Sequence, residues 1–277
     1  MKNKGIKKTF GILIAITLAA GMMTGCGEKK IERMEQKTAI VIGASTGIGA
    51  ATAEALAQQY KKIAITSFRH PKKLKEVQQK ILAQDTDCYA EIGDAGDFTF
   101  VRQFIEHVIE HFGKKIDLLV NNAGISYVGL LTDMDETDWK RIIDTNITSV
   151  FNTCRQVVPY MVHAHKGRII NISSVWGNVG ASCEVAYSAT KGAVNAFTKA
   201  LAKELAPSGI AVNAIAFGAI DTTMNGHLSS EEKNALEEEI PFGRMGTETE
   251  AAEFIITVAN AGSYLTGQIL TFDGGWQ

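Results

Sequence analysis

Proline is scarce, with four in 277 residues, and no Pro/Gly/Ser-rich run separates one part of the chain from another. That argues against a linker between two folded units. A basic excess is also missing: 28 Lys and Arg stand against 30 Asp and Glu, a formal net charge of −2. Nucleic-acid binding, which rests on a positive footprint, is therefore not expected. Cysteines are few. Cys26, Cys88, Cys154 and Cys183 show no C-x-x-C and no metal-ligand spacing, so neither a dithiol centre nor a metal is expected on them. Cys88, Cys154 and Cys183 read as small apolar residues in or near a core, and nothing argues for a disulfide. With 45% hydrophobic and 21% charged residues, the chain has globular composition and no signature of disorder.

The first 33 residues differ from the rest. Lys2, Lys4, Lys7 and Lys8 precede an apolar stretch from Phe10 to Met23 that is too short to span a bilayer as a helix. Met23-Thr24-Gly25-Cys26 resembles a bacterial lipobox, with Met23 where leucine is commoner. The resemblance implies cleavage before Cys26 and acylation of that cysteine. Residues 1–33 are therefore read as a lipoprotein leader and tether, and residues 34–277 as one catalytic domain. The expected location is the membrane, through a lipid anchor at Cys26. The alternative is a cytoplasmic protein translated from Met34.

From Thr38 onward, short apolar runs alternate with amphipathic stretches, the pattern of βαβ units around a parallel sheet. Strands are expected at Thr38–Ile42, Ile63–Ser67, Cys88–Ile92, Leu118–Asn121, Arg168–Ile172, Ala211–Ile215 and Ile269–Phe272. Helices are expected at Ile48–Gln59, Lys72–Ala83, Val101–Phe112, Trp139–His163 and Ala189–Ala206. The fold class is thus α/β: a single doubly wound, Rossmann-type domain with a mainly parallel sheet of about seven strands and helices on both faces.

Gly43-Ala44-Ser45-Thr46-Gly47-Ile48-Gly49 follows a strand and opens a helix. Side chains absent at Gly43 and Gly47 let the backbone approach a pyrophosphate, and Gly49 lets helix and strand pack closely. The helix N-terminus offers free N–H groups to the anion. At the end of the second strand, Thr66-Ser67-Phe68-Arg69-His70 has no carboxylate to bind ribose hydroxyls. Arg69 is suited to pair with a 2′-phosphate, and Ser67 to donate a hydrogen bond to it. This favours NADP(H) over NAD(H). A solvated surface arginine would have the same sequence.

The spacing G-x-x-x-G-x-G, the segment Asn121-Asn122-Ala123-Gly124, the run Tyr187-Ser188-Ala189-Thr190-Lys191, Ser174 thirteen residues before Tyr187, and Phe217-Gly218-Ala219-Ile220-Asp221-Thr222 occur in order. Together they resemble the short-chain dehydrogenase/reductase family from about Thr38 to Asp273. The resemblance implies a catalytic tetrad of Asn146, Ser174, Tyr187 and Lys191. It also implies cofactor contacts from Gly43, Ser45, Thr46, Gly47, Ile48, Gly49, Asn122, Ala123, Gly124, Gly218, Ile220 and Thr222. Asp94 and Ala95 resemble the family's adenine-edge pair, and Asn121 is expected to steady the central strands. Tyr187 and Lys191 stand at i and i+4 on a helix and so share a face.

An ammonium beside the phenol, with the positive ring of the oxidised cofactor, is expected to lower the Tyr187 pKa, and Tyr187 is expected to protonate the carbonyl oxygen of a ketone while hydride arrives at carbon. Ser174 would hold that oxygen, and Lys191 would bind the nicotinamide ribose. The family's Asn146 holds a water that reprotonates the lysine. Phe217 departs from the family's proline, and with it a more mobile loop is expected. A homotetramer is implied by resemblance alone.

Two subfamilies are similar. Ile240-Pro241-Phe242-Gly243-Arg244-Met245-Gly246 and Tyr264-Leu265-Thr266-Gly267-Gln268 resemble 3-oxoacyl-(acyl-carrier-protein) reductases. The basic carrier-gripping positions of that group are His165 (followed by Lys166) and Ser208 here. Ser126 to Met134 and Ser174 to Tyr187 resemble the elongation factor P 5-aminopentanone reductases more closely. In that comparison Trp176 and Glu184 flank the active site, and Glu184 pairs the amine of an aminoketone. Met224 to Glu239 is expected to form a mobile lid, made acidic by Glu231, Glu232, Glu237, Glu238 and Glu239; a solvated helix face would carry the same charges. A non-catalytic NADP-binding sensor or scaffold would show damage to the tetrad, and all four residues are present.

Overall fold

The computed structural model describes residues 37–226 and 228–277. The leader, Cys26 and the alternative start at Met34 lie outside the described residues. The strands run β1 Thr38–Ile42, β2 Lys62–Ser67, β3 Asp87–Ile92, β4 Leu118–Asn121, β5 Gly167–Ser174, β6 Ile210–Phe217 and β7 Ile269–Phe272. They form one sheet of order β3-β2-β1-β4-β5-β6-β7, with every pairing parallel.

Parallel strands need crossover helices, which cover both faces and leave the strands buried. β1 is the run Thr-Ala-Ile-Val-Ile, buried at all five positions. Its side chains alternate between two cores. Ala39 and Val41 face the layer of α1 (Gly47–Leu56), α2 (Pro71–Leu82) and, from later in the chain, α9 (Glu248–Asn260). Ile40 and Ile42 face α3 (Phe98–Phe112), α5 (Ser149–Ala164) and α7 (Val185–Leu205). The remaining helices are α4 (Glu136–Ile143), the short α6 (Trp176–Val179) and α8 (Ser230–Glu239). Sequence order reverses between β1 and β4, and a crevice at the strand carboxyl ends opens there.

The structure departs from the expected elements where local chemistry overrides periodicity. The single helix expected over Trp139–His163 is two helices, α4 and α5, joined by a π-turn at Asp144–Thr148 that contains Asn146. Such turns add a residue to the helix and recur at functional sites. The last of the expected helices begins earlier, at Val185, which brings Tyr187 inside it. The expected mobile lid is a 3₁₀ turn at Thr223–Asn225 followed by the helix α8. α8 and α9 both open with a capping box, Ser229 with Glu232 and Thr247 with Glu250. That S/T-x-x-E signal stands in the sequence and marks helix starts.

Cys88 and Cys154 are buried and free, as expected, but Cys183 is only partly buried. It sits outside either core, in the loop before α7, at φ +63°.

Asn121 ties the middle of the sheet together. Its amide donates to Asn171 Oδ1 at 2.8 Å and its Oδ1 accepts from Thr153 at 2.7 Å, while Asn171 donates to Thr198 at 2.8 Å. β4, β5, α5 and α7 are thus joined by one satisfied buried network. Replacement Asn171→Leu leaves the Asn121 amide only its long 3.5 Å bond to Cys154 Sγ and removes the donor to Thr198, at a cost of about 1–3 kcal/mol per unpaired group. Urea unfolding will show a loss of that size, and an unchanged midpoint would mean the network carries no stability.

Candidate active site

The crevice is a cleft of about 820 Å³ running across the β1–β4 divide. Its first wall is the turn after β1. Gly43 has φ +81°, and a Cβ there would lie 2.7 Å from the Cα of Ala123. Gly49 is the packing glycine: a Cβ would come 2.1 Å from the Gly43 carbonyl oxygen and 2.3 Å from the Asn122 amide nitrogen. Asn122 donates to Gly43 O at 2.8 Å, so it fastens the β4 exit to the turn. Gly47, at φ +63°, has nothing within 3.4 Å of a Cβ, and Thr222 and Glu248 stand across the gap at 3.7 and 3.8 Å. The N-cap of α1, Thr46, makes no side-chain capping bond. The first-turn N–H groups of α1 are therefore left to the cleft, which suits an anion.

Ser45, Thr46, Ile48, Ser67, Arg69, Asp94, Ala95, Asn122, Ala123, Gly124, Gly218, Ile220 and Thr222 all line this cleft. Ser67 donates to Ser45 at 2.8 Å, so the two hydroxyls form a pair on its wall. Arg69 is exposed, lies over the Phe68 ring at 5.7 Å, and makes no hydrogen bond or ion pair among the described residues. Asp94 accepts from Gly96 N at 2.8 Å, and Asn152 donates to the carbonyls of Ala95 and Gly96 at 3.0 Å each. Gly49 and Asn146 stand behind the wall rather than on it. The turn and the uncapped helix together fit the pyrophosphate of a dinucleotide.

Ser174, Tyr187 and Lys191 line the cleft at the carboxyl ends of β5 and β6. Ser174 Oγ accepts from Trp176 N at 3.2 Å, and its hydroxyl faces the Tyr187 phenol and pulls that pKa down. Lys191 is 3% exposed and donates to Ile172 O at 2.8 Å, with Nζ 5.5 Å from the Tyr187 ring centroid. Asn146 clamps the neighbouring loop. Its Oδ1 accepts from Ile125 N at 2.8 Å, and its amide donates to Ile125 O at 2.9 Å and Thr190 Oγ1 at 3.1 Å.

The protein's own groups raise the phenol pKa, whereas the expected lowering drew also on the positive ring of the oxidised cofactor. Burial pushes Tyr187 up to about 12, against the Ser174 hydrogen bond and with a further upward push from the Glu184 carboxylate. Burial likewise pulls Lys191 down to about 8, so its charge is itself reduced near that pH. The tyrosine is held protonated at neutral pH, the form a proton donor needs.

Phe217 was expected to loosen its loop. Instead it is 4% exposed, packs edge-on against Phe272 with centroids 5.7 Å apart, and its carbonyl accepts from Val175 N at 3.0 Å. Packing replaces the stiffness of the proline ring.

Trp176 and Glu184 also line the cleft, and Glu184 accepts a short hydrogen bond from Ser126. The lid also faces it, through Met224, Leu228, Leu236 and Glu239. Sequence reading missed Trp276, which reaches the same cleft from the chain's C-terminal end. No motif marks it, and only the tertiary fold brings it there.

A glycine turn at a parallel-sheet switch point, with Ser, Tyr and Lys on the facing wall, defines a dinucleotide-dependent oxidoreductase acting on CH–OH and C=O groups. The short chain dehydrogenase family model matches residues 37–233; the chain belongs to this family, whose members use a nicotinamide cofactor. It is 39% identical over 241 residues to the uncharacterized oxidoreductase YmfI of Bacillus subtilis, covering 87% of this chain and 98% of the relative. It is also 39% identical over 240 residues to the 3-oxoacyl-(acyl-carrier-protein) reductase FabG of Staphylococcus aureus, covering 86% and 97%. A Serratia marcescens short-chain dehydrogenase/reductase mutant superposes with a TM-score of 0.81 at 30% identity, covering 88% of this chain and 98% of that one.

The glycines make a paired prediction. Gly47→Ala has room for its methyl group and pays mainly for the left-handed backbone, about 1–2 kcal/mol, yet that methyl narrows the pyrophosphate gap. Gly49→Ala collides with Gly43 and Asn122. Thermal unfolding and NADPH titration will show Gly47→Ala folded with affinity reduced about tenfold, ~1.4 kcal/mol, and Gly49→Ala markedly less stable. Equal stability of the two would contradict the geometry.

Proposed function

We propose that this chain reduces a ketone bearing a cationic group, of the aminopentanone type, to a secondary alcohol with NADPH. The observation that carries the reading is the placement of the Glu184 carboxylate in the same cleft as Tyr187, near enough to raise its pKa. A partly buried carboxylate in the cleft attracts an ammonium and repels an acidic carrier. The acidic lid, with Glu239 facing the cleft, adds to that field.

NADPH, when bound, supplies the hydride. Ser174 holds the carbonyl oxygen by a hydrogen bond, and Tyr187 passes its hydroxyl proton to that oxygen as charge develops there. Lys191 stabilises the phenolate left behind, and the proton returns to Tyr187 through the lysine side. Arg69 and the α1 N-terminus would hold the two ends of the phosphate system. A homotetramer is proposed by family resemblance.

A second reading, a 3-oxoacyl-(acyl-carrier-protein) reductase, is favoured by the 39% identity to a relative of that name. Location bears on both readings alike. We propose residues 1–33 as a leader acylated at Cys26. Diacylglyceryl-modified Cys26 at the N-terminus, seen by mass spectrometry, would place the enzyme at the membrane and rule out a cytosolic protein-borne ketone. A start at Met34 makes it cytoplasmic and admits modified elongation factor P. No helix among the described residues is long and apolar enough to cross a membrane.

The test uses 5-(dimethylamino)pentan-2-one, whose tertiary amine cannot cyclise onto its ketone, beside its carbon isostere 6-methylheptan-2-one. The amine-bearing ketone is expected to have the higher kcat/KM, and Glu184→Gln to abolish the preference while sparing the isostere. Equal kcat/KM in the wild type would defeat the cationic reading. Separately, Lys191 is charged below its pKa of about 8 and neutral above it, so kcat/KM for reduction is expected to fall as pH rises through that value. A profile flat to pH 10 would remove Lys191's charge from the mechanism. Arg69→Gln is expected to raise the KM for NADPH and leave that for NADH unchanged; equal changes would remove Arg69 from phosphate recognition.

A further inference from the structure

The chain ends in Asp273-Gly274-Gly275-Trp276-Gln277, directly after the edge strand β7. These residues form a hook. Asp273 Oδ1 accepts from Gly275 N and Oδ2 from Gln277 N, each at 2.9 Å, and Asp273 O accepts from Trp276 N at 3.4 Å. Gly274 and Gly275 take φ +67° and +83°, values that favour glycine and allow the reversal.

The hook is fastened on two sides. Phe242 N donates to Gly274 O at 3.1 Å, and a Cβ at Gly274 would lie 3.0 Å from Ile240 and Phe242. On the other side a Cβ at Gly218, in the loop leaving β6, would lie 2.7 Å from Asp273 Cβ. The tail therefore rests between the end of the lid helix α8 and the nicotinamide-side loop. Its one large side chain, Trp276, lines the cleft and meets Trp176 edge-on, with centroids 4.8 Å apart at 62°.

Two indoles from distant parts of the chain, Trp176 after β5 and Trp276 after β7, thus make a common wall in the cleft that also holds Glu184. Indole faces attract cations, and a carboxylate in the same space adds a counter-charge. We propose that Trp276 is a specificity-determining residue. With Trp176 it forms an aromatic wall that holds the substituent of the ketone far from the reacting carbonyl, and Asp273 is the positioning residue that presents it. That the substituent is an ammonium rests on the reading above; that Trp276 touches the substrate does not.

The experiment measures kcat and KM for 5-(dimethylamino)pentan-2-one and 6-methylheptan-2-one, at saturating NADPH, with wild type, Trp276→Ala, Trp276→Phe and Asp273→Asn. Trp276→Ala is expected to raise the KM of the amine-bearing ketone about five- to tenfold, with kcat changed far less. Trp276→Phe should recover much of the loss, and Asp273→Asn should follow Trp276→Ala in part. If the wild type treats both ketones alike and Trp276→Ala still raises both KM values, the wall stands and the cationic reading fails. If the wild type prefers the amine and Trp276→Ala moves neither KM, the wall fails and the cationic reading stands. Should Trp276→Ala not fold, Trp276→Leu and Trp276→Phe carry the decision: unchanged KM values in both overturn the proposal.

Discussion

Lys191 cannot be charged cheaply where it lies, and much of the site is built around that burial. The ammonium is taken from water and given the Ile172 carbonyl, a partner that offsets only part of the lost hydration. Its surroundings leave no slack. A Cβ at Gly177 would come 2.7 Å from the Lys191 backbone, and one at Gly124 would come 3.4 Å from Nζ. Ser173 donates to Lys191 O at 3.3 Å. The loop after β4, the end of β5 and the helix α7 are therefore held at the separations that this one side chain requires.

The π-turn follows from the same requirement. A continuous helix over residues 139–163 would turn Asn146 to a different angle; with the added residue it meets both the N–H and the C=O of Ile125. That fixes the loop carrying Gly124 beside the lysine. Against this dense wall, the opposite end of the cleft is made of separate pieces: a capped lid helix, the loop before α7 with its positive-φ Cys183, and the C-terminal hook. Ser174, Tyr187 and Lys191 sit on the densely packed half, and on the proposed reading the substituent of the substrate faces the half assembled from loops.

What could be read from the residues was what local pattern encodes. Apolar runs gave the seven strands to within a few residues, because a parallel sheet buried on both faces needs continuous β-branched stretches. The glycine turn and the Tyr187–Lys191 spacing carried the site, since each motif obeys a short-range geometric demand. Two things were not legible: the π-turn leaves no break in hydrophobic period, and Trp276 reaches the cleft only through the sheet order. α8 buries no side chain that would mark a stripe, so only its capping box announces it. The burial of the phenol was not legible for a related reason: desolvation depends on three-dimensional packing, whereas the i, i+4 spacing reveals only that a cation is near.

The account depends most on Tyr187 as the proton donor. The direct measurement is the single-turnover rate of NADPH oxidation with 5-(dimethylamino)pentan-2-one or 6-methylheptan-2-one for wild type and Tyr187→Phe, alongside NADPH affinity. The account requires the rate to fall by about a hundred- to ten-thousandfold while NADPH still binds. A Tyr187→Phe enzyme reducing either ketone at the wild-type rate would contradict it.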